Sequence, residues 1–156
     1  VRSYADLKVF SGKEKLWLSR ATELVGEIRE GEEELRCHEL ARAVGRLLGL
    51  HVQDGHYGFA EHSWLWTSEP RRAEADGEVE LFGAPNILDV YSVGQLPQVQ
   101  LVAAGRVGLP HVGWAYRPGA ARRDIRGETV ERIIRETRRI WQLWGVAVVP
   151  EARVCP

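Results

Sequence analysis

Apolar positions first repeat with a helical period, then alternate, then turn helical again. Between residues 13 and 30, Leu16, Trp17, Leu24, Val25 and Ile28 recur at helical spacing with Lys, Arg and Glu between them, which predicts a helix. Ser11-Gly12 marks its entry and Gly31 its stop. Glu32, Glu33 and Glu34 then form a short acidic linker, suited to the electropositive first turn of a following helix. That helix is expected over 35–48, with Leu40, Ala41, Val44, Leu47 and Leu48 facing a core and Arg42 and Arg46 outside. Gly49 ends it. Cys37 falls in its first turn, on the same face as Leu40, Ala41, Val44 and Leu48.

From His51 the period shortens to two. Strands are expected at His51–Phe59 and Glu61–Thr67, with Asp54-Gly55 as a turn or bulge signal. In the second strand His62, Trp64 and Trp66 share one face, and Ser63, Leu65 and Thr67 the other. Glu69–Gly77 carries Pro70 and several charges and is expected to be an exposed loop. Strands follow at 78–82, 86–91 and 98–103. In the middle one Ile87, Asp89 and Tyr91 share a face. Residues 105–121, rich in Gly and Pro, are expected to be irregular. A last helix over 127–144 bears Val130, Ile133, Ile134, Thr137, Trp141 and Trp144 on one stripe. The pattern predicts an α+β fold: N-terminal helices packed on an antiparallel β-sheet, with a closing C-terminal helix.

At 156 residues the chain is expected to be a single domain, 1–156, able to bury a continuous core. A net charge of −1 gives no electrostatic case for a nucleic-acid partner, and the arginines between Arg117 and Arg139 suit a solvated helix face. No apolar run approaches the length of a membrane span and no signal-peptide pattern opens the sequence, so no membrane partner is expected. Two cysteines, Cys37 and Cys155, are too few for a disulfide framework, and a reducing, cytoplasmic setting is the expectation. The absence of Met, even at position 1, suggests that a segment precedes Val1.

The chemistry gathers between Arg36 and Tyr91. The thiolate is the nucleophilic form of cysteine, and a helix N-terminus or a neighbouring imidazolium favours it. Arg36 adds to that effect and the upstream glutamates oppose it. His62, in an apolar strand, needs a hydrogen-bond partner whatever its role, and as a general base it would take the thiol proton. Asp89, inside Ile87-Leu88-Asp89-Val90-Tyr91, is a carboxylate in an apolar strand that must be paired: with His62, with an arginine, or as the cap of a turn. Tyr57, Trp64 and Trp114 are candidate substrate-binding residues, against the alternative that an aromatic strand face is plain core. His51, His56 and His62 with Asp54 offer zinc-type ligands, but their spacing matches no tight signature. No metal or cofactor is therefore expected.

The helix from Cys37 to Leu47-Leu48-Gly49-Leu50 resembles the cysteine helix of transglutaminase-like proteins within the papain-like fold. His62-Ser63-Trp64 is similar to that family's His-Ala-Trp strand, and Ile87-Leu88-Asp89-Val90 to its Asp-bearing strand. The order Cys, His, Asp is the same, and the resemblance covers residues 35–91. It implies a papain-like/transglutaminase-like fold with a Cys37–His62–Asp89 triad. It implies a thiol-dependent hydrolase or acyltransferase (protease, amidase or transglutaminase-like) acting on a peptide, protein or small amide or ester. The alternatives are a catalytically inactive binding module of the same fold and a small metal-dependent protein. Oligomeric state is not encoded in these features.

Overall fold

The first helix begins on a reciprocal side-chain cap, and the second ends on a glycine in the left-handed region. The computed structural model describes residues 10–31, 35–67, 71–75, 78–82, 86–91, 99–102 and 116–149. Along them run helix α1 (Gly12–Gly31), helix α2 (Cys37–Leu48), strands β1 (His51–Tyr57), β2 (Ala60–Trp66), β3 (Arg71–Ala75), β4 (Glu78–Phe82), β5 (Ile87–Asp89), β6 (Gln100–Val102) and β7 (Tyr116–Pro118), and helix α3 (Gly127–Trp144). Ser11 and Glu14 cap α1 reciprocally: Glu14 N–H donates to Ser11 Oγ at 3.1 Å and Ser11 N–H to Glu14 Oε1 at 2.9 Å. The other Glu14 oxygen accepts from Thr67 Oγ1 at 2.7 Å and Asn86 Nδ2 at 2.8 Å, which fastens the start of α1 to the sheet. Gly49, at φ 74°, closes α2, and the Leu50 N–H returns to the Gly45 carbonyl at 2.8 Å.

The main sheet is antiparallel throughout, in the order β6-β5-β2-β1-β7, and β3 and β4 form a separate ribbon. This is the expected α+β arrangement. Helix α2 meets α1, α3, β1 and β2, so it is the central element of the helical layer. Alternation along the strands sends Leu65 and Leu88 into the helical core with Leu24, Leu40, Val44, Leu48, Ile133 and Trp141. Each such aliphatic side chain, fully buried, contributes about 1.5–3 kcal/mol. The opposite face carries Trp64, Trp66, Ile87 and Tyr116 as a second cluster. Gly45 lets α2 close on the sheet, since a Cβ there would sit 2.8 Å from a Leu65 methyl and 3.0 Å from the Leu50 carbonyl.

Several expectations need correction. Arg71–Ala75, expected as loop, is a strand paired with β4; its charges hid a two-stranded ribbon. Tyr116–Pro118, expected as irregular, pairs with β1. Proline is compatible with that position because β7 is an edge strand and Pro118 is its last residue. Asp54-Gly55 does not turn: β1 runs straight through it, and the turn comes at Gly58-Phe59, where Gly58 adopts φ 60°. Leu16 and Trp144 are 42% and 63% exposed, because the apolar stripes of α1 and α3 run on beyond the part that is covered.

Gly55 explains how β7 reaches β1. A Cβ at Gly55 would run into the Arg117 carbonyl and crowd the Gly119 nitrogen at 3.0 Å. Gly55→Ala is expected to push β7 away and cost about 1–3 kcal/mol, as overpacking does. Gly58→Ala, with open space around it, should cost only its backbone strain, about 1 kcal/mol. Thermal unfolding of the two variants checks this; equal melting temperatures would show that β7 is not held by close backbone approach.

Candidate active site

Cys37 is the first residue of α2. Arg36 precedes it in extended conformation (φ −78°, ψ 154°), and no side chain caps the helix. The N–H groups of the first turn and the positive end of the helix dipole therefore lie at the cysteine. The thiol is free and half-buried. Arg36 turns back to pair with the buried Glu39, which also accepts from Arg126. Burial opposes the Glu39 charge, but hydrogen bonds from Arg36 and Arg126 outweigh it and hold its carboxyl down at about 2.

His62 and Asp89 meet across the sheet. β5 pairs with β2, and period-two alternation puts both side chains on the face of the Trp64 cluster. His62 Nε2 donates to Asp89 Oδ2 at 2.8 Å, with both residues sealed from solvent. The same oxygen accepts the Tyr116 hydroxyl at 2.7 Å, and Asp89 Oδ1 accepts the Tyr91 N–H at 3.1 Å. Nδ1 of His62 is buried and has no hydrogen-bond partner among the described residues. Cys37 nevertheless lies close enough to bear on the ring: burial pulls the imidazole down, but Asp89 and then Cys37 outweigh it and push it up to about 9. The structure thus joins His62 directly to Asp89, while Cys37 bears on the ring and makes its own close contacts with His38.

Of the candidate substrate-binding residues, Trp64 needs correction. Trp64 is fully buried and stacks under His62, with centroids 6.1 Å apart at 28°, so it is a platform for the imidazole and not a groove wall. Tyr57 is 38% exposed with its edge towards the His62 ring at 6.1 Å, where it flanks the site. Trp114, like Cys155, lies outside the described residues.

A second polar chain adjoins the same sulfur, and sequence reasoning missed it. Cys37 Sγ is 3.6 Å from His38 Nδ1 and 3.9 Å from Nε2. His38 Nδ1 is 2.7 Å from Ser63 Oγ, which donates to Asp54 Oδ1 at 2.6 Å. Asp54 also accepts from Arg42 and from the Arg122 N–H. Since the one Ser63 proton goes to Asp54, neutral His38 carries its proton on Nδ1. Burial first, then Arg122 and Arg36, lower His38, so it stays neutral where His62 is charged. The available signals were His38 and Arg42 four residues apart on one helix, and Ser63 on the opposite strand face from His62. Asp54, read as a turn residue, concealed the link.

Among the described residues no group of three or more His, Cys, Asp or Glu side chains gathers to hold a metal ion, and no helix is long and apolar enough to cross a membrane. No protein-family model, curated protein or solved structure matches the chain.

Two predictions arise from these charges. The folded state raises His62 from 6.5 to about 9, so its contribution to stability is complete below about pH 6.5 and is lost as pH climbs through about 9. Urea midpoints should fall across that window in the native protein and less steeply in His62→Gln. Glu39→Gln removes a buried charge whose partners, Arg36 and Arg126, are 37% and 46% exposed and can turn to water. The expected loss is therefore about 1–3 kcal/mol by denaturant unfolding, below the 3–5 kcal/mol that follows when a partner charge is stranded in the interior.

Proposed function

We propose that this protein is a thiol-dependent hydrolase or acyltransferase of transglutaminase-like, papain-like architecture, acting on an amide or ester carbonyl. The observation that carries the reading is a buried imidazole held by a buried carboxylate, with a helix-initial thiol near enough to help raise the ring's proton affinity. A positioned nucleophile, an acid–base group and an orienting carboxylate are the parts that covalent acyl transfer needs.

In the proposed reaction the Cys37 thiolate adds to the carbonyl carbon and forms a C–S bond. The oxyanion is stabilised by the N–H groups at the start of α2. The His62 imidazolium gives its Nδ1 proton to the leaving amine or alkoxide as that bond breaks, which leaves a thioester. Water or an amine then attacks, its proton passes to His62, and the C–S bond breaks to restore the thiolate. Asp89 keeps its charge throughout. The substrate class is a peptide, protein or small amide. A second reading, an inactive binding module of the same fold, is favoured by one feature: the sulfur's hydrogen-bond-range contacts are with His38 and not with His62.

Labelling with iodoacetamide at pH 6 separates the two. Under the catalytic reading Cys37 is alkylated at least about tenfold faster than Cys155, and His62→Ala removes the difference. Asp89→Asn should lower turnover of p-nitrophenyl acetate by at least about a hundredfold with little change in labelling at saturation. Equal rates for the two cysteines, indifferent to His62→Ala, would leave the binding module.

A further inference from the structure

The Asp89 carboxylate has one oxygen, Oδ2, that takes two donors at once: His62 Nε2 at 2.8 Å and the Tyr116 hydroxyl at 2.7 Å. Tyr116 comes from β7, the edge strand farthest from β5 in chain and sheet order. Its ring is already accounted for by packing: it meets Tyr57 and Trp64 edge-on, with centroids 4.8 and 5.2 Å away. Phenylalanine would serve that packing equally well. What the tyrosine adds is a single buried O–H, aimed at the oxygen that orients His62.

We propose that Tyr116 is a fourth member of the site: a positioning residue that divides the Asp89 charge and so makes the His62 imidazolium a better proton donor. This role rests on the triad reading of Cys37, His62 and Asp89. A carboxylate oxygen shared between two donors draws less on each than it would on one alone. With the hydroxyl present, Asp89 still fixes the ring but holds the imidazolium proton less firmly. In the proposed reaction that proton must leave His62 for the departing group, so too strong a grip would slow the step that breaks the amide. The groups facing His62 are Cys37 from α2, Tyr57 from β1, Trp64 from β2, Asp89 from β5 and Tyr116 itself, and it is the Tyr116 hydroxyl that shares the Asp89 oxygen with the ring.

The test is the titration of the His62 ring by NMR, followed through its carbon-bound proton. A Cys37→Ser background keeps the thiol's own ionisation from intruding. Tyr116→Phe should move the His62 titration upward by about half a unit or more. Replacing Tyr116 with 3-fluorotyrosine, a stronger donor of the same shape, should move it downward, and this decides the matter should the phenylalanine variant fail to fold. A hydroxyl that merely fills a buried acceptor would change the melting temperature and leave both titrations where they were. An unmoved titration, or an upward shift with the fluorinated ring, overturns the assignment. Iodoacetamide labelling of the Cys37-containing protein keeps the two questions apart. A reactive Cys37 with an unmoved His62 defeats the role of Tyr116 alone, whereas an inert Cys37 defeats the catalytic reading.

Discussion

A carboxylate cut off from water must be matched by donors or give up its charge, and Asp89 is matched by three. Its partners come from three places: His62 on β2, Tyr116 on β7 and the backbone of Tyr91 beyond β5. The satisfaction of one buried group therefore ties both flanks of the sheet to its centre. The same requirement makes the aromatic face intelligible. Trp64 beneath His62, with Tyr57 and Tyr116 around it, excludes the water that would otherwise compete for those hydrogen bonds. Hydrophobic burial on this face thus strengthens the polar contacts it surrounds.

The other face works by different means. Its stability rests on aliphatic burial among the three helices, and its polar chain through Ser63, Asp54 and Arg42 lies at the margin of that core. Adjacent residues of β2 serve the two sides: His62 belongs to the aromatic face and Ser63 to the helical one. The start of α2 lies where both chains end, which is why one sulfur has two imidazoles for neighbours. Burial opposes the Asp54 charge, yet hydrogen bonds from Arg42, Ser63 and the Arg122 backbone keep its carboxyl below the ordinary range, so the chain has one polarity.

Much of this was legible in the sequence because it follows from period. The helical stripe after Cys37 and the alternation around His62 locate both elements to within a few residues, and Asp89 stands out as a charge in an apolar strand. What escaped was set by contacts distant in sequence. Tyr116 lies in a segment whose Gly and Pro content argues against a strand, and it becomes one only because Gly55 leaves room for the Arg117 backbone. Asp54-Gly55 has the composition of a turn, yet its glycine serves close approach and its aspartate serves His38's network. Local composition names a turn residue; only the pairing of β1 with β2 and β7 shows that it is used otherwise. Trp64 failed in the opposite direction, since alternation gave its face correctly but not whether that face was open.

The two histidines beside Cys37 differ in charge for reasons that reside in their partners. His62 faces a carboxylate directly and holds its proton; His38 faces a hydroxyl whose own proton is committed to Asp54, with Arg122 and Arg36 near enough to oppose a positive charge. Exchanging the inner partners would exchange the protonation states, because burial pulls both rings towards neutrality. A thiol between a charged and a neutral imidazole has a donor on one side and an acceptor on the other. In the proposed chemistry that polarity gives direction: the proton for the leaving group comes from the side of Asp89, while the side of Asp54 fixes a ring that neither gains nor gives a proton at neutral pH. The assignment of roles is thus made one residue away from the sulfur, by the second partner of each ring.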